Sequence, residues 1–598
     1  MRRDEIDGQV RLVIGTASAC ELGDEAPVIL DCGIDEFADL AGAPSGLGSG
    51  FSNEADRRFL VNGWQSWSFG GEINADERVR PSWVERMALF SKGPAAPERH
   101  GEVLSYFYIG IGAGTGESFL YLVSRNAGFA PLAFRADRRG DRLRVEALSS
   151  GARWAAGETV AELRVFCRAG WAAAKEAFRD VFKDFRHFDR LAFLGHEGRL
   201  VPGGYESWYN HYTHISGKLI EADLAGLEEP GNLVSDYYIR RGKPTVFQVD
   251  DGWELRVGDW ETDTVKFPKG LGPLREAIEN KGYVPGLWLA PFLVTKSCAV
   301  FRDHQDWILR DSQGRKVLAG WNPNWDGDFW ALDLSIPEVE DYLTALFDRV
   351  VEGWGYRYLK LDFLYSAFLP GVRKNGGASF QHWERVIGRI TSRVRNNAGL
   401  PVAWLGCGAP LETSYRHFPL MRIGADTREA WEYGALRLIR HDGRPSARVN
   451  MLATIGRSIL DGTVFVNDPD VVFCREANNR LTETEKELVA LVGFLLASQI
   501  MFSDGAAEVR TPSVRAFTSR LVAHFDHLAG RRYGATRIAK DVFRIESADG
   551  VVRGVANLSG RPFSRAADEW EGQPIVEHAS RAGDRVSFEA HSISLYEA

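Results

Sequence analysis

Residues 356–365 read YRYLKLDFLY, and this stretch decides how the rest of the chain is understood. It is short, aromatic and β-prone, the texture of a strand buried on both faces of a parallel sheet, yet it carries Lys360 and Asp362. Alternate side chains of a strand share a face, so the ammonium and the carboxylate point the same way. At the C-terminal end of a strand in a (β/α)8 barrel, that face opens on the rim where such folds build their sites. An ammonium close to Asp362 would also favour its ionised form, which suits a nucleophile. A lone K-x-D is more often a silent internal ion pair, so its meaning depends on its surroundings.

Those surroundings repeat the pattern. Seven further runs read as short strands: YESWYN (205–210), TVFQVDD (245–251), VPGLWLAP (284–291), VAWLGCG (402–408), LMRIGAD (420–426), TVFVNDP (463–469) and IMFSDG (500–505). Most are separated by helical stretches such as LGPLREAIENKG (271–282), VEDYLTALFDRVVEG (339–353), HWERVIGRITSRVRNN (382–397) and RLTETEKELVALVGFLLAS (480–498). Eight β/α units predict a (β/α)8 TIM barrel over residues 196–512. Nearly every strand ends in Asp, Asn, Cys or Trp, and packing gives no reason for polar ends on apolar strands.

Before the barrel, residues 1–195 carry β-rich runs such as RLVIG (11–15), EVLSYFYIGIG (102–112) and SFLYLVS (118–124), then the helical WAAAKEAFRDVFKDF (171–185). After it, residues 513–598 return to β-like runs, including RLVAHFD (520–526) and SISLYEA (592–598). Both flanks read as antiparallel β-sandwiches. At 598 residues the chain exceeds what one core organises, so a multidomain protein is expected.

With 72 Lys plus Arg against 81 Asp plus Glu and no basic block, nucleic acid is excluded as a partner. The N-terminal MRRDEIDGQVRLVIG has acids where a leader would have an apolar core, and no run is long enough to span a bilayer. A cytoplasmic location without membrane contact is expected. The six cysteines lack C-x-x-C spacing, which fits reduced thiols.

Within the barrel the chemistry-bearing residues converge. Arg422, Gly424 and Asp426 have one parity, so a strand running that far carries Asp426 to the rim. Asp362 and Asp426 then form a carboxylate pair on two strands, the equipment for glycoside hydrolysis with one as nucleophile and the other as acid/base. Asp250 and Asp251 cannot both point inward on a regular strand, so one belongs to the turn opened by Gly252; together they suit neighbouring sugar hydroxyls. Oxygen-rich Asn467, Asp468 and Asp470 offer a hard cation a rival site, which Lys360 and Arg422 would repel. His211 and His214 lack metal-ligand spacing, and neither metal nor cofactor is expected. Trp288, on a barrel strand, and Trp64, in NGWQSWSFGG (62–71), are candidate stacking platforms.

The ordered set DDGWELRVGDW (250–260), FPKGL (267–271), GLWLAPF (286–292), YLKLDF (358–363), GCGAPL (406–411), RIGAD (422–426) and NDPD (467–470) resembles the α-galactosidases of glycoside hydrolase family 36 and its clan D, and more loosely family 31. The resemblance covers nearly the whole chain. It implies an N-terminal β-supersandwich, the barrel and a C-terminal β-sandwich. It also implies a retaining α-glycosidase acting on a terminal α-galactoside, without cofactor. Carried over by position, Asp362 is the nucleophile and Asp426 the acid/base. Asp250, Asp251, Lys360 and Arg422 bind the sugar, and Trp64 is lent to the pocket by the N-terminal domain. Homo-oligomers are common for this architecture. Cys407, Gly408, Ala409 and Pro410 depart from the family's C-S-G-G-G or C-E-W-P, and Ala290 stands where many members have Glu. Small residues near the 2-position leave α-N-acetylgalactosaminidase, other α-glycosidase or transglycosylase activity open. A sugar-binding protein without catalysis is the alternative from another class.

Overall fold

A computed structural model of the chain describes residues 1–598 apart from 17–19, 22–26, 43–56, 78–92, 113–116, 150, 186, 195–202, 435–443 and 506. The expected domain boundary at 195/196 lies outside the described residues.

All eight predicted strands form and lie in one parallel sheet. Numbered in chain order, they are β1 (Gly203–Glu206), β2 (Thr245–Val249), β3 (Val284–Leu289), β4 (Tyr358–Leu361), β5 (Ala403–Gly406), β6 (Leu420–Arg422), β7 (Val466–Asp468) with its short continuation β8 (Val471–Val472), and β9 (Ile500–Phe502). The spatial order is β7-β6-β5-β4-β3-β2-β1-β9-β8. Its two ends, β7 and β8, are consecutive pieces of one run, so the sheet curls round towards its own beginning. Parallel neighbours need long return connections, and helices supply them. Leu271–Asn280, Pro337–Phe347, Ser379–Thr391 and Glu483–Leu496 fall where the helical stretches were predicted. Ser379–Thr391 buries Phe380, Trp383, Val386, Ile387 and Ile390, the three-and-four spacing of a helix with one apolar face. Glu483–Leu496 opens with a capping box, in which Thr482 and Glu485 each accept the other's backbone N–H.

Between β3 and β4 the chain inserts a three-stranded antiparallel sheet of Leu293–Thr295, Leu318–Asn322 and Gly327–Ala331. Ahead of the parallel sheet, seven-stranded and four-stranded antiparallel sheets share a core containing Leu12, Phe59, Ile109, Leu122, Phe134, Val145 and Leu163. At the C-terminal end, sheets of five and three strands pack around Val555, Trp570, Val586 and Phe588.

One expected strand is a helix. RLVAHFD lies within Pro512–Leu528, whose buried Val514, Phe517, Leu521, Phe525 and Leu528 recur every three or four residues. Thr511 caps it by accepting the Val514 N–H, and Pro512 fits its first turn. A run of seven residues rich in apolar side chains fits a strand as well as a helix, and the helical period emerges only over the longer window. Among the described residues, no helix is long and apolar enough to cross a membrane.

The C-terminal sheets are tied to Glu483–Leu496 by His578 Nε2 on Glu487 Oε2 at 2.6 Å and His591 Nδ1 on Glu485 Oε1 at 2.9 Å. The Glu487 bond raises the His578 pKa against the opposing effect of burial. Folding therefore favours protonated His578. Its contribution is fully present below the unfolded value of about 6.5 and is lost as pH rises through the folded one. His578→Gln is expected to cost roughly 1 kcal/mol at pH 6 and to be nearly neutral at pH 9, read by thermal melts and hydrogen exchange of the C-terminal sheets.

Candidate active site

The polar strand ends meet inside the curled sheet, and their pairing differs from the simplest expectation. Lys360 does not pair with Asp362. Its Nζ lies 2.9 Å from Asp250 Oδ2 on the end of β2 and 3.5 Å from Glu206 Oε2 on β1. The shared parity of Lys360 and Asp362 was sound; the ion pair runs across the sheet interior instead of along β4. Burial disfavours the ammonium, but Asp250 and Glu206 together outweigh it and hold its pKa well above the usual value.

Asp362 follows β4 directly, with its N–H on Leu289 O at 2.8 Å. Its Oδ2 accepts from Trp288 Nε1 at 3.0 Å and its Oδ1 from the Phe363 N–H at 2.8 Å. The Cys407 thiol, at the end of β5, is also hydrogen-bonded to this carboxylate; burial first, then the Asp362 charge, push the thiol pKa well up. Phe363 has φ 55°, a left-handed conformation that L-residues adopt at a cost, and it turns the chain sharply after Asp362.

Strand β6 stops at Arg422, so Asp426 belongs to the loop beyond it and not to a longer strand. Arg422 nevertheless reaches it. Nη1 is 3.7 Å from Asp426 Oδ1, while Nε and Nη2 hold Asp468 at 3.0 Å and Asp470 at 2.8 Å. Arg428, with φ 57°, adds a contact to Asp426 Oδ2 at 3.2 Å. Asn450 fixes the same loop by donating to Ala425 O at 2.6 Å. The Asp426 side chain is 30% exposed. Desolvation still raises its pKa above the ordinary carboxylate range, against Arg428 and with the help of Asp470. The opposing pull of Arg422, itself engaged by Asp468 and Asp470, is a weaker effect.

Gly252, with φ 110°, opens the turn expected after the aspartate pair. Asp250 Oδ2 accepts from Gln248 Nε2 at 2.6 Å as well as from Lys360. Asp251 Oδ2 accepts from Trp325 Nε1 at 2.9 Å. Burial first, then the neighbouring Glu254 carboxyl, push the Asp251 pKa well up. Trp64 is buried edge-on to Tyr106 and Phe368. Trp67 packs edge-on to Phe363 at 5.1 Å, beside the Asp362 turn. The rival cation site loses its oxygens to resident cations, because Asp468 and Asp470 face Arg422 and Asp250 faces Lys360. Among the described residues no group of three or more His, Cys, Asp or Glu could hold a metal.

Sequence reasoning missed Glu206, Glu254, Trp325 and Arg457. Glu206 stood in a recognised strand and was legible by position. Trp325 comes from the insertion after β3, which no barrel pattern announces. Arg457 is fully buried, and every described partner is neutral. It donates to Asn62 Oδ1 at 2.8 Å, Ser66 O at 2.6 Å, Ile423 O at 2.7 Å and Gln65 O at 3.3 Å. Burial pulls its pKa down to about 10. It fastens the N-terminal loop to the segment between Arg422 and Asp426. Ser66 adds a bond from its N–H to Ala409 O at 2.9 Å.

The Melibiase family model matches residues 242–373, the segment carrying Asp250, Asp251, Trp288, Lys360 and Asp362. Two α-galactosidases of Pediococcus pentosaceus align with parts of the chain. One is 31% identical over 121 residues, covering 19% of this chain and 16% of its own length. The other is 23% identical over 232 residues, covering 36% and 28%. The chain thus spans less than a third of the length of these curated relatives. Solved structures match far more broadly. The Thermus thermophilus α-galactosidase in complex with stachyose is 25% identical with a TM-score of 0.64, covering 88% of this chain and 96% of its own. A family 36 α-galactosidase from Geobacillus stearothermophilus has a TM-score of 0.56 at 14% identity, covering 91% and 75%.

Removing the Arg457 guanidinium would leave Asn62 Oδ1, Ser66 O and Ile423 O short of a donor, each costing about 1–3 kcal/mol, while Gln65 O keeps the Ser68 N–H. Arg457→Leu is expected to lower stability by at least about 3 kcal/mol, measured by urea unfolding, with Arg457→Lys recovering part of the loss.

Proposed function

We propose that the chain, whose residues 242–373 match the Melibiase model, is a retaining exo-α-glycosidase, an α-galactosidase that releases terminal non-reducing α-D-galactosyl groups through a glycosyl-aspartate intermediate. The closing strand order supports a (β/α)8 barrel over residues 196–512, between an N-terminal β-supersandwich at 1–195 and a C-terminal β-sandwich unit at 513–598 that opens with a helix. The observation that carries the activity is the contrast between two carboxyls, Asp362 directly after β4 and Asp426 in the loop beyond β6, with only β5 between those two strands. Asp362 is surrounded by donors from Trp288, Phe363 and Cys407. Asp426 is held above the ordinary carboxylate range by desolvation. Retaining glycosidases need that contrast, with an ionised nucleophile and a protonated acid.

In this reading an Asp362 oxygen attacks the anomeric carbon as the glycosidic bond breaks, and Asp426 gives its proton to the departing oxygen. Asp426, now ionised, takes a proton from water, whose oxygen attacks the anomeric carbon and frees Asp362. Net retention follows from the two inversions. Asp250 and Asp251 bind sugar hydroxyls, with Lys360 fixing Asp250. Trp288 and Cys407 hold the nucleophile in place, Arg422 orients the loop carrying the acid, and Trp64 supports the adjoining wall.

NMR of the first-formed product from p-nitrophenyl α-galactoside should show the α-anomer. The β-anomer would overturn the mechanism, and preference for the α-N-acetylgalactosaminide or α-glucoside would overturn the substrate. Asp362→Asn should lower kcat by about 10⁴-fold or more. Asp426→Ala should slow poor leaving groups by about 10³-fold and activated aryl galactosides by much less.

A further inference from the structure

The interior of the curled sheet holds more carboxyls than cations. Glu206, Asp250, Asp468 and Asp470 surround Lys360 and Arg422, and all six side chains are buried. Arg422 serves Asp468 and Asp470 at 3.0 and 2.8 Å, and Lys360 serves Asp250 at 2.9 Å. Glu206 is left with the poorest provision. Its Oε2 has Lys360 at 3.5 Å and Gln248 Nε2 at 3.4 Å, and that same amide lies 2.6 Å from Asp250. Its Oε1 has no hydrogen-bond partner among the described residues. Glu206 is 2% exposed, so water does not compensate. An anion this poorly paired in a dry interior is disfavoured, and the group that keeps a proton there is the one whose charge is least supported.

We propose that Glu206 is a positioning residue of the sugar site, a proton-bearing carboxyl that leaves Lys360 committed to Asp250 and so holds Asp250 ready for a sugar hydroxyl. The groups facing it are Lys360 from β4, Asp250 and Gln248 from β2, Arg422 from β6, and Asp470 between β7 and β8. Burial is the main force raising its pKa, to about 8, with Asp250 and Asp470 adding to it and Lys360 and Arg422 opposing. Above that pH Glu206 loses its proton to water and competes for the single ammonium. Asp250 then loses part of its counter-charge, and sugar affinity falls.

This deepens the α-galactosidase reading and rests on it only for the choice of ligand. Galactose binding is measured calorimetrically at pH 6.5 and 9.5 for the wild-type protein, Glu206→Gln and Glu206→Met. The wild type should lose about tenfold in affinity, whereas both uncharged variants should lose less than about twofold. Changes due to Asp426 are common to all three proteins and cancel in the comparison. An equal alkaline loss in either folded variant, or a flat wild-type profile, overturns the proposal. If the wild type fails to bind galactose at pH 6.5, the substrate reading fails instead. The proton is then followed by infrared difference spectra of wild type against the folded variant. A protonated-carboxyl band belonging to Glu206 should be present at pH 6.5 and gone by pH 9.5, and its absence at pH 6.5 overturns the proposal.

Discussion

Two cations buried among carboxylates organise everything at the strand ends. Taking Lys360 or Arg422 out of water costs several kcal/mol, and only close, well-placed anions offset it. The sheet supplies them from separate strands: Asp250 for Lys360 at 2.9 Å, Asp468 and Asp470 for Arg422 at 3.0 and 2.8 Å. Strand register fixes this arrangement. Lys360 sits beside Trp288 across β3 and β4, and Arg422 beside Asp468 across β6 and β7. A slip of one residue would reverse the facing of each of these side chains. The same ion pairs that set the local chemistry therefore penalise any other registration of the strands.

The N-terminal domain is part of that constraint. Ser66 bonds Ala409 in both directions, with its N–H on the Ala409 carbonyl and its hydroxyl accepting the Ala409 N–H. A Cβ on Gly408 would lie 3.1 Å from Trp67 Cζ2 and from the Phe363 backbone, so glycine allows the two layers their close approach. Arg457 then links the same loop to Ile423. The turns after β4, β5 and β6 are thus braced from one side by a single loop. Left-handed Phe363, Arg428 and Asp470 are held beside that region, where the surroundings must over-determine conformations that are locally costly.

Much of this was legible because strand periodicity and polar strand ends are local signals. All eight strands were found, and the positions of Asp250, Asp362, Cys407 and Arg422 at their ends followed from parity or motif. What escaped depended on distance in the chain. Parity says which face Lys360 occupies, but not that its neighbour is Asp250, 110 residues away. Whether β6 reaches Asp426 was not decidable locally, because IGA is compatible with a strand, while the loop beyond Arg422 is held on Ala425 by Asn450 from the later helix Ala447–Gly456. Arg457 carries no sequence signature at all, since a buried cation bound only by carbonyl and amide oxygens looks like any surface arginine until the fold surrounds it.

The contrast between Asp362 and Asp426 also weighs catalysis against mere recognition. A binding site gains from carboxylates that are ionised and fixed by donors, because they accept sugar hydroxyls well. Asp250 and Asp362 are both fixed by donors, Asp250 by Lys360 and Gln248 and Asp362 by Trp288 and the Phe363 N–H. Asp426 differs: it has arginines on two sides and is 30% open to the surface, yet desolvation, helped by the Asp470 charge, raises its pKa above the ordinary value. Raising the proton affinity of a rim carboxyl beside two guanidinium groups works against simple recognition of hydroxyls. It is what proton donation to a departing oxygen requires, and the loop carrying Asp426 is correspondingly fixed through Arg422, Asn450 and Arg457.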